Sequence, residues 1–166
     1  AVPAPGRRGR PGWRRVVIDR PYIDANVEAT AALGDLIASL SPEDLAADLG
    51  EGWTVSMALA HLAFWDSWHL ARWEHAAAAG AVAPPPVSDE VSARNNDALV
   101  ETWRALDPER AVALVLDAAA RIDTYVAGLS DAAIEAARTA GSPNWFERRP
   151  HRDDHIGHIR RVLGRA

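Results

Sequence analysis

Three of the chain's six histidines fall within nine positions, in the stretch HRDDHIGHI, and another stands alone in the apolar run ALAHLAFW. Successive residues on a helix advance by about 100°, so His151 and His155 are separated by roughly 40° and His155 and His158 by roughly 60°. All three share one face. An i, i+4 pair of imidazoles can hold one metal ion from a single turn, and an i, i+3 pair can do so too. Spacing alone therefore leaves His151/His155 and His155/His158 as alternatives, against the plainer reading of polar residues at a helix start. His61 sharpens the question, because an unpaired ring buried in an apolar run costs on the order of a few kcal/mol. It needs either a hydrogen-bond partner such as Asp66 or a metal shared with the C-terminal pair. His69 is on broadly the same side of that helix but roughly 12 Å further along the axis, too far to share an ion with His61. His75 is further still, beside Glu74, and both are read as interfacial or solvated. Asp153 and Asp154 are candidate acceptors for a ring N–H, or exposed helix charges.

Composition limits the chemistry available. The chain has 166 residues, enough for one domain with its own core, and no cysteine, so any thiol it uses must be imported. No apolar run approaches the ~20 residues that span a bilayer, and no apolar signal-peptide block precedes the first helix. The expectation is a soluble, cytoplasmic protein. The net charge of -5 conceals a basic leading segment in which Arg7, Arg8, Arg10, Arg14, Arg15 and Arg20 face a single acid, Asp19, the leader itself being placed at residues 1–19. That leader reads as a flexible extension, and the acidic remainder argues against a nucleic-acid partner.

The elements that must position the histidines are all helical. Residues 21–40 carry Ile23, Val27, Ala31, Leu33, Ile37 and Leu40 at helical spacing, and Ser41-Pro42-Glu43-Asp44 reads as the cap and first turn of a short second helix. From Thr54 a long Trp-rich helix runs to a C-cap at Gly80. The Pro-rich segment AVAPPPVSDE is a stiff connector. A helix follows from Ser88 or Asp89 to about Leu106, then a cap and restart at Asp107-Pro108 to about Ala127, a short helix from Ser130-Asp131, a loop, and a last helix opened by Pro150. Nothing alternates with period two. Residues 20–166 are expected to form a single all-α domain, most simply a four-helix bundle.

The stretch GWTVSMALAHLAFWDSW resembles the second helix of the DinB/YfiT-like family, in which a Trp opens the helix, a His follows two turns later and an aromatic comes one turn after that. Here these are Trp53, His61 and Trp65. HRDDHIGHI resembles the HxxxH of that family's last helix, and the resemblance covers roughly residues 20–163. It implies an up-up-down-down four-helix bundle, a homodimer, and a divalent metal, zinc first and nickel or iron otherwise, held by His61, His151 and His155. His158 is then a neighbour lining the pocket; it and the basic leader are not part of the family's pattern. The resemblance further implies a low-molecular-weight thiol as co-substrate, as in mycothiol-dependent maleylpyruvate isomerase and mycothiol or bacillithiol S-transferases. The lack of lysine amid abundant Arg and Ala points to a GC-rich genome, which favours mycothiol. The expected function is a metal-dependent thiol S-transferase or isomerase, of a detoxifying kind, acting on a small electrophile. The alternatives are a metal-assisted hydrolase and a non-catalytic, stress-related metal-binding bundle.

Three neutral imidazoles leave a coordination position open, as a catalytic site requires, and a bound cation would hold an incoming thiol as thiolate. Trp53, Trp65, Trp145 and Phe146 are candidate pocket walls, and Arg148 or Arg149 is a candidate partner for an anionic substrate group.

Overall fold

A computed structural model describes residues 18–165, so the basic leader, except its last two residues, lies outside the described residues. The helices are α1 (Tyr22–Ala38), α2 (Pro42–Leu45), α3 (Val55–Ala78), α4 (Asp89–Ala105), α5 (Pro108–Ala127), α6 (Asp131–Thr139) and α7 (Arg149–Val162). Their starts follow local chemistry. Side chains of Thr54, Ser88, Asp107 and Ser130 each accept a backbone N–H in the first turn of α3, α4, α5 and α6, and Ser41 and Asp44 form a reciprocal capping box on α2. Asp107 marks a true break, because Leu106 before it is extended. One element lacked a sequence signal: β1 (Asp48–Gly50) and β2 (Trp53–Thr54) pair antiparallel, joined through Gly50, Glu51 and Gly52, all at positive φ. This short hairpin is fixed by its turn rather than by alternating side chains.

The long helices pack as an all-α bundle of the DinB-like kind. Tyr22 donates to the Val126 carbonyl and Thr30 to Asp123, so α1 runs antiparallel to α5. Asn26 contacts the start of α7 while Arg165, beyond its end, reaches Ser39, so α1 and α7 are parallel. The first turns of α3 pack with residues 111–118 of α5, and Leu70 and Trp73 with Ile122 and Val126, so α3 and α5 are parallel too. In chain order α1, α3, α5 and α7 therefore run up, down, down, up, not up, up, down, down as the resemblance implied. The reason is α4. It lies antiparallel on α3, with Asn96 at Trp65 and Trp103 at His61, and carries the chain back so that α5 begins at the same end as α3.

Between α1, α3, α5 and α7 the core contains charge. Asp66 is fully buried and accepts from Arg148 Nε at 2.7 Å and from Arg152 Nη2 at 2.8 Å, while Arg152 Nη1 also reaches Asp123 at 2.8 Å. Two carboxylates and two guanidiniums balance. Breaking such a pair strands a buried charge, which typically costs about 3–5 kcal/mol. We expect Asp66→Ala to lower the free energy of unfolding by about that much, read from the urea midpoint, whereas Glu90→Ala, which removes an exposed i, i+4 pair with Arg94, should change it by under ~0.5 kcal/mol.

Candidate metal centre

The site is built from two helix segments whose positions have separate causes. His61 sits in the second turn of α3, on the stretch Val55–Ala63, every residue of which is buried. The start of α7 has no local side-chain cap; instead Oδ1 of Asn26, from α1, accepts the backbone N–H of Arg148 at 2.8 Å and of Arg149 at 3.1 Å. The same Asn26 donates to the Phe146 carbonyl. A cap supplied by another helix thus fixes where α7 begins, and with it His151 and His155.

The structure brings together His61, His151 and His155, whose candidate ligand atoms all lie within 4.8 Å of one another. Nε2 of His61 and Nε2 of His151 stand 3.1 Å apart, and the His155 ring is 4.9 Å from that of His61 and 5.0 Å from that of His151. Two nitrogens bound to one zinc ion at ~2.05 Å stand ~3.3 Å apart across a tetrahedral angle, so the observed separation suits a shared ion. Arg148 can only donate, and its Nη2 lies 3.2 Å from Nδ1 of His151. That nitrogen is then the acceptor and the ring's one proton sits on Nε2, facing Nε2 of His61; ligation of an ion through Nε2 takes the other neutral tautomer, with the proton on Nδ1. Nδ1 of His61 is buried without a partner among the described residues. Asp66, the alternative partner for His61, is engaged by the two arginines.

Protonation state also suits ligation. Burial, reinforced by His155 and Arg148, pushes the His61 imidazole down to about 3. Burial, with Arg148 and the neighbouring imidazoles, pushes His151 down to about 2. His155 is lowered as well, mainly by burial, with Asp154 opposing. All three are neutral near pH 7, as metal binding requires. The donor set therefore fits a divalent ion.

Two cavities border the cluster, and His61 lines both. The first, about 490 Å³, is bounded by Trp53, Leu49, Glu51, His155 and His158. The second, about 520 Å³, runs between α3, α4 and the 3₁₀ turn Pro143–Trp145, and includes Trp65, Trp145, Arg148 and His151. Trp53, Trp65, Trp145 and His158 thus all border the cluster's cavities. Arg149 does not: it lies on the outer surface, bonded to Asp153 and Glu28. Its neighbour Arg148, turned inward by Asp66, takes the interior place. Phe146 is fully buried against Tyr22, away from the cavities.

Two residues have roles that the sequence did not signal. Trp103 packs its ring edge-on 5.1 Å from His61 and is the only buried residue of α4; a lone Trp on a polar helix was the available sign. His69, read as interfacial or solvated, is instead only 5% exposed and lines the second cavity. Burial, with Arg148 and Arg72, lowers it to about 2. Helical periodicity alone could not separate the two, because α3 is covered on several sides.

His61, His69 and His151 bind protons far more weakly in the folded chain than at the unfolded value of about 6.5. Unfolding therefore takes up protons below that pH, and stability falls as pH falls. For metal-free protein in chelator, Tm should be level above pH 7 and drop steadily between pH 6.5 and 5, a range in which carboxylates contribute little. A flat Tm across that range would show that the imidazoles are not buried as described.

Comparison with known proteins adds one match. A family model described as the mycothiol maleylpyruvate isomerase N-terminal domain matches residues 27–162, which include His61, His151 and His155. No curated protein and no solved structure matches the chain. On a match covering most of its length, the chain belongs to the mycothiol maleylpyruvate isomerase N-terminal domain family, a DinB/YfiT-like family.

Proposed function

We propose that the chain is a metal-dependent thiol S-transferase or isomerase, with mycothiol as the thiol and a small electrophile as its partner. The observation that carries the reading is the convergence of three neutral imidazoles from α3 and α7 at a cluster bordered by two cavities. His61, His151 and His155 would hold one divalent ion. Bound there, the ion supplies a Lewis acid that stabilises an incoming thiol as thiolate near neutral pH.

The chain's own residues supply the rest. The rings of Trp53 and Trp103, 5.5 Å and 5.1 Å from His61, exclude water on one side and raise the strength of local electrostatic interactions. Arg148 orients His151, and Asp66 matches the charge that Arg148 brings. Two cavities bordering one cluster allow thiol and electrophile to approach from different directions, and holding two reactants in register is itself a large part of catalysis. The lack of cysteine agrees with a protein that takes its sulfur from a co-substrate.

The test is metal content and thiol consumption together. Wild type should bind about one equivalent of metal and consume mycothiol in the presence of a generic electrophile. His61→Ala should lose the metal and more than about 100-fold in rate, since even residues supporting a ligand are worth 10–100-fold. Equal metal content and equal rates in both proteins would end the reading, and turnover without thiol would replace it by metal-assisted hydrolysis.

A further inference from the structure

The cavity on the α4 side holds an imidazole that the three-histidine cluster does not use. His69 lies two turns beyond His61 on α3, and its ring is flanked by those of Trp65 and Trp68 at 6.1 Å and 5.2 Å. Nδ1 is sealed in the interior with no partner among the described residues. His69 is also part of the cavity lining, and of its two nitrogens Nδ1 is the one shut off, so Nε2 is the nitrogen that opens on the cavity. A buried acceptor without a partner is tolerated more readily than a buried N–H without one. Nδ1 is thus the bare nitrogen, and Nε2–H is a donor aimed into the cavity.

Other groups along this wall offer complementary bonds. Oδ1 of Asn96 is occupied by the Trp65 indole N–H at 3.0 Å, which leaves its NH₂ as a second donor. Trp68 and Trp145 line the cavity, with the Arg72 guanidinium stacked over both rings at 4.6 and 4.8 Å, and Asp89 stands exposed at the rim. A carboxylate there repels an anion and accepts from a hydroxyl. Arg148 also lines the cavity, but its charge is matched by buried Asp66. Donors inside, an acceptor at the rim and aromatic rings between them suit a neutral, oxygen-rich group with hydroxyls and carbonyls. From His61 to His69 the cavity follows roughly 12 Å of helix, so one molecule with a reacting end at the cluster and an oxygen-bearing remainder at His69 must be elongated.

We propose that this cavity is the subsite for the non-reacting, polyhydroxylated portion of the thiol co-substrate, and that His69 is the binding residue that reads it. The proposal rests on the thiol reading above. The cavity beside Trp53 and His158 is then left to the electrophile.

Calorimetric titration of metal-loaded protein with two probes tests it: mycothiol, whose acylated cysteine carries a sugar polyol, and N-acetylcysteine, which lacks one. Wild type should bind mycothiol at least about tenfold more tightly, the scale of a well-made hydrogen bond. His69→Leu should remove most of that preference while leaving metal content and N-acetylcysteine affinity unchanged. His69→Gln, which keeps an N–H near the position of Nε2, should retain it, and serves if the leucine variant folds poorly. A preference that survives in His69→Leu, or is absent from wild type, overturns the subsite but leaves the thiol reading intact. Failure of wild type to bind either thiol overturns both.

Discussion

A single buried carboxylate ties the bundle to its site. Asp66 lies in the interior of α3 and takes hydrogen bonds from two arginines of the α7 segment, one just before the helix and one a turn into it. Each interaction would be costly alone, since desolvation of an ion is repaid only when its partners are well placed. The network balances because Asp123 of α5 completes Arg152 and Thr30 of α1 joins both. Four helices are thus held in one register by groups that tolerate little displacement, and apolar packing, which is less directional, fills in around them.

The consequence for the site is geometric. Arg148 cannot move without abandoning Asp66, and it is Arg148 that touches His151. Asn26 fixes the first N–H groups of α7 from another helix. The imidazole cluster is therefore supported by contacts from α1 and α3 rather than by its own helix turn, as a site requiring sub-ångström placement of ligands needs. The aromatic rings around His61 complete the enclosure and keep the cluster neutral by excluding water, while the two cavities leave approaches to it.

Much of this was legible in the chain. The start signals at Thr54, Ser88, Asp107 and Ser130 placed the helix starts to within about a residue, because a helix start is a contact between near neighbours in sequence. The i, i+4 relation of His151 and His155 likewise follows from helix geometry alone. Joining His61 to them came from resemblance to a family, not from spacing. The hairpin between α2 and α3 has strands too short to show alternation, and the order of helix directions differs from the one the resemblance implied because α4's role as a return crossover is set by which face of α3 it covers.

What the sequence determined by itself, then, was local: all-α content, helix ends, the shared face of the C-terminal histidines, and the absence of any thiol of its own. Only the tertiary structure decided which of two adjacent arginines turns inward, that Asp66 serves those arginines rather than His61, that His69 is buried at a cavity, and that His158 faces the cavity beside Trp53. The physical reason is common to all four. Burial and charge pairing depend on which distant segments come within a few ångströms, and no periodicity along one helix encodes what the neighbouring helices place against it.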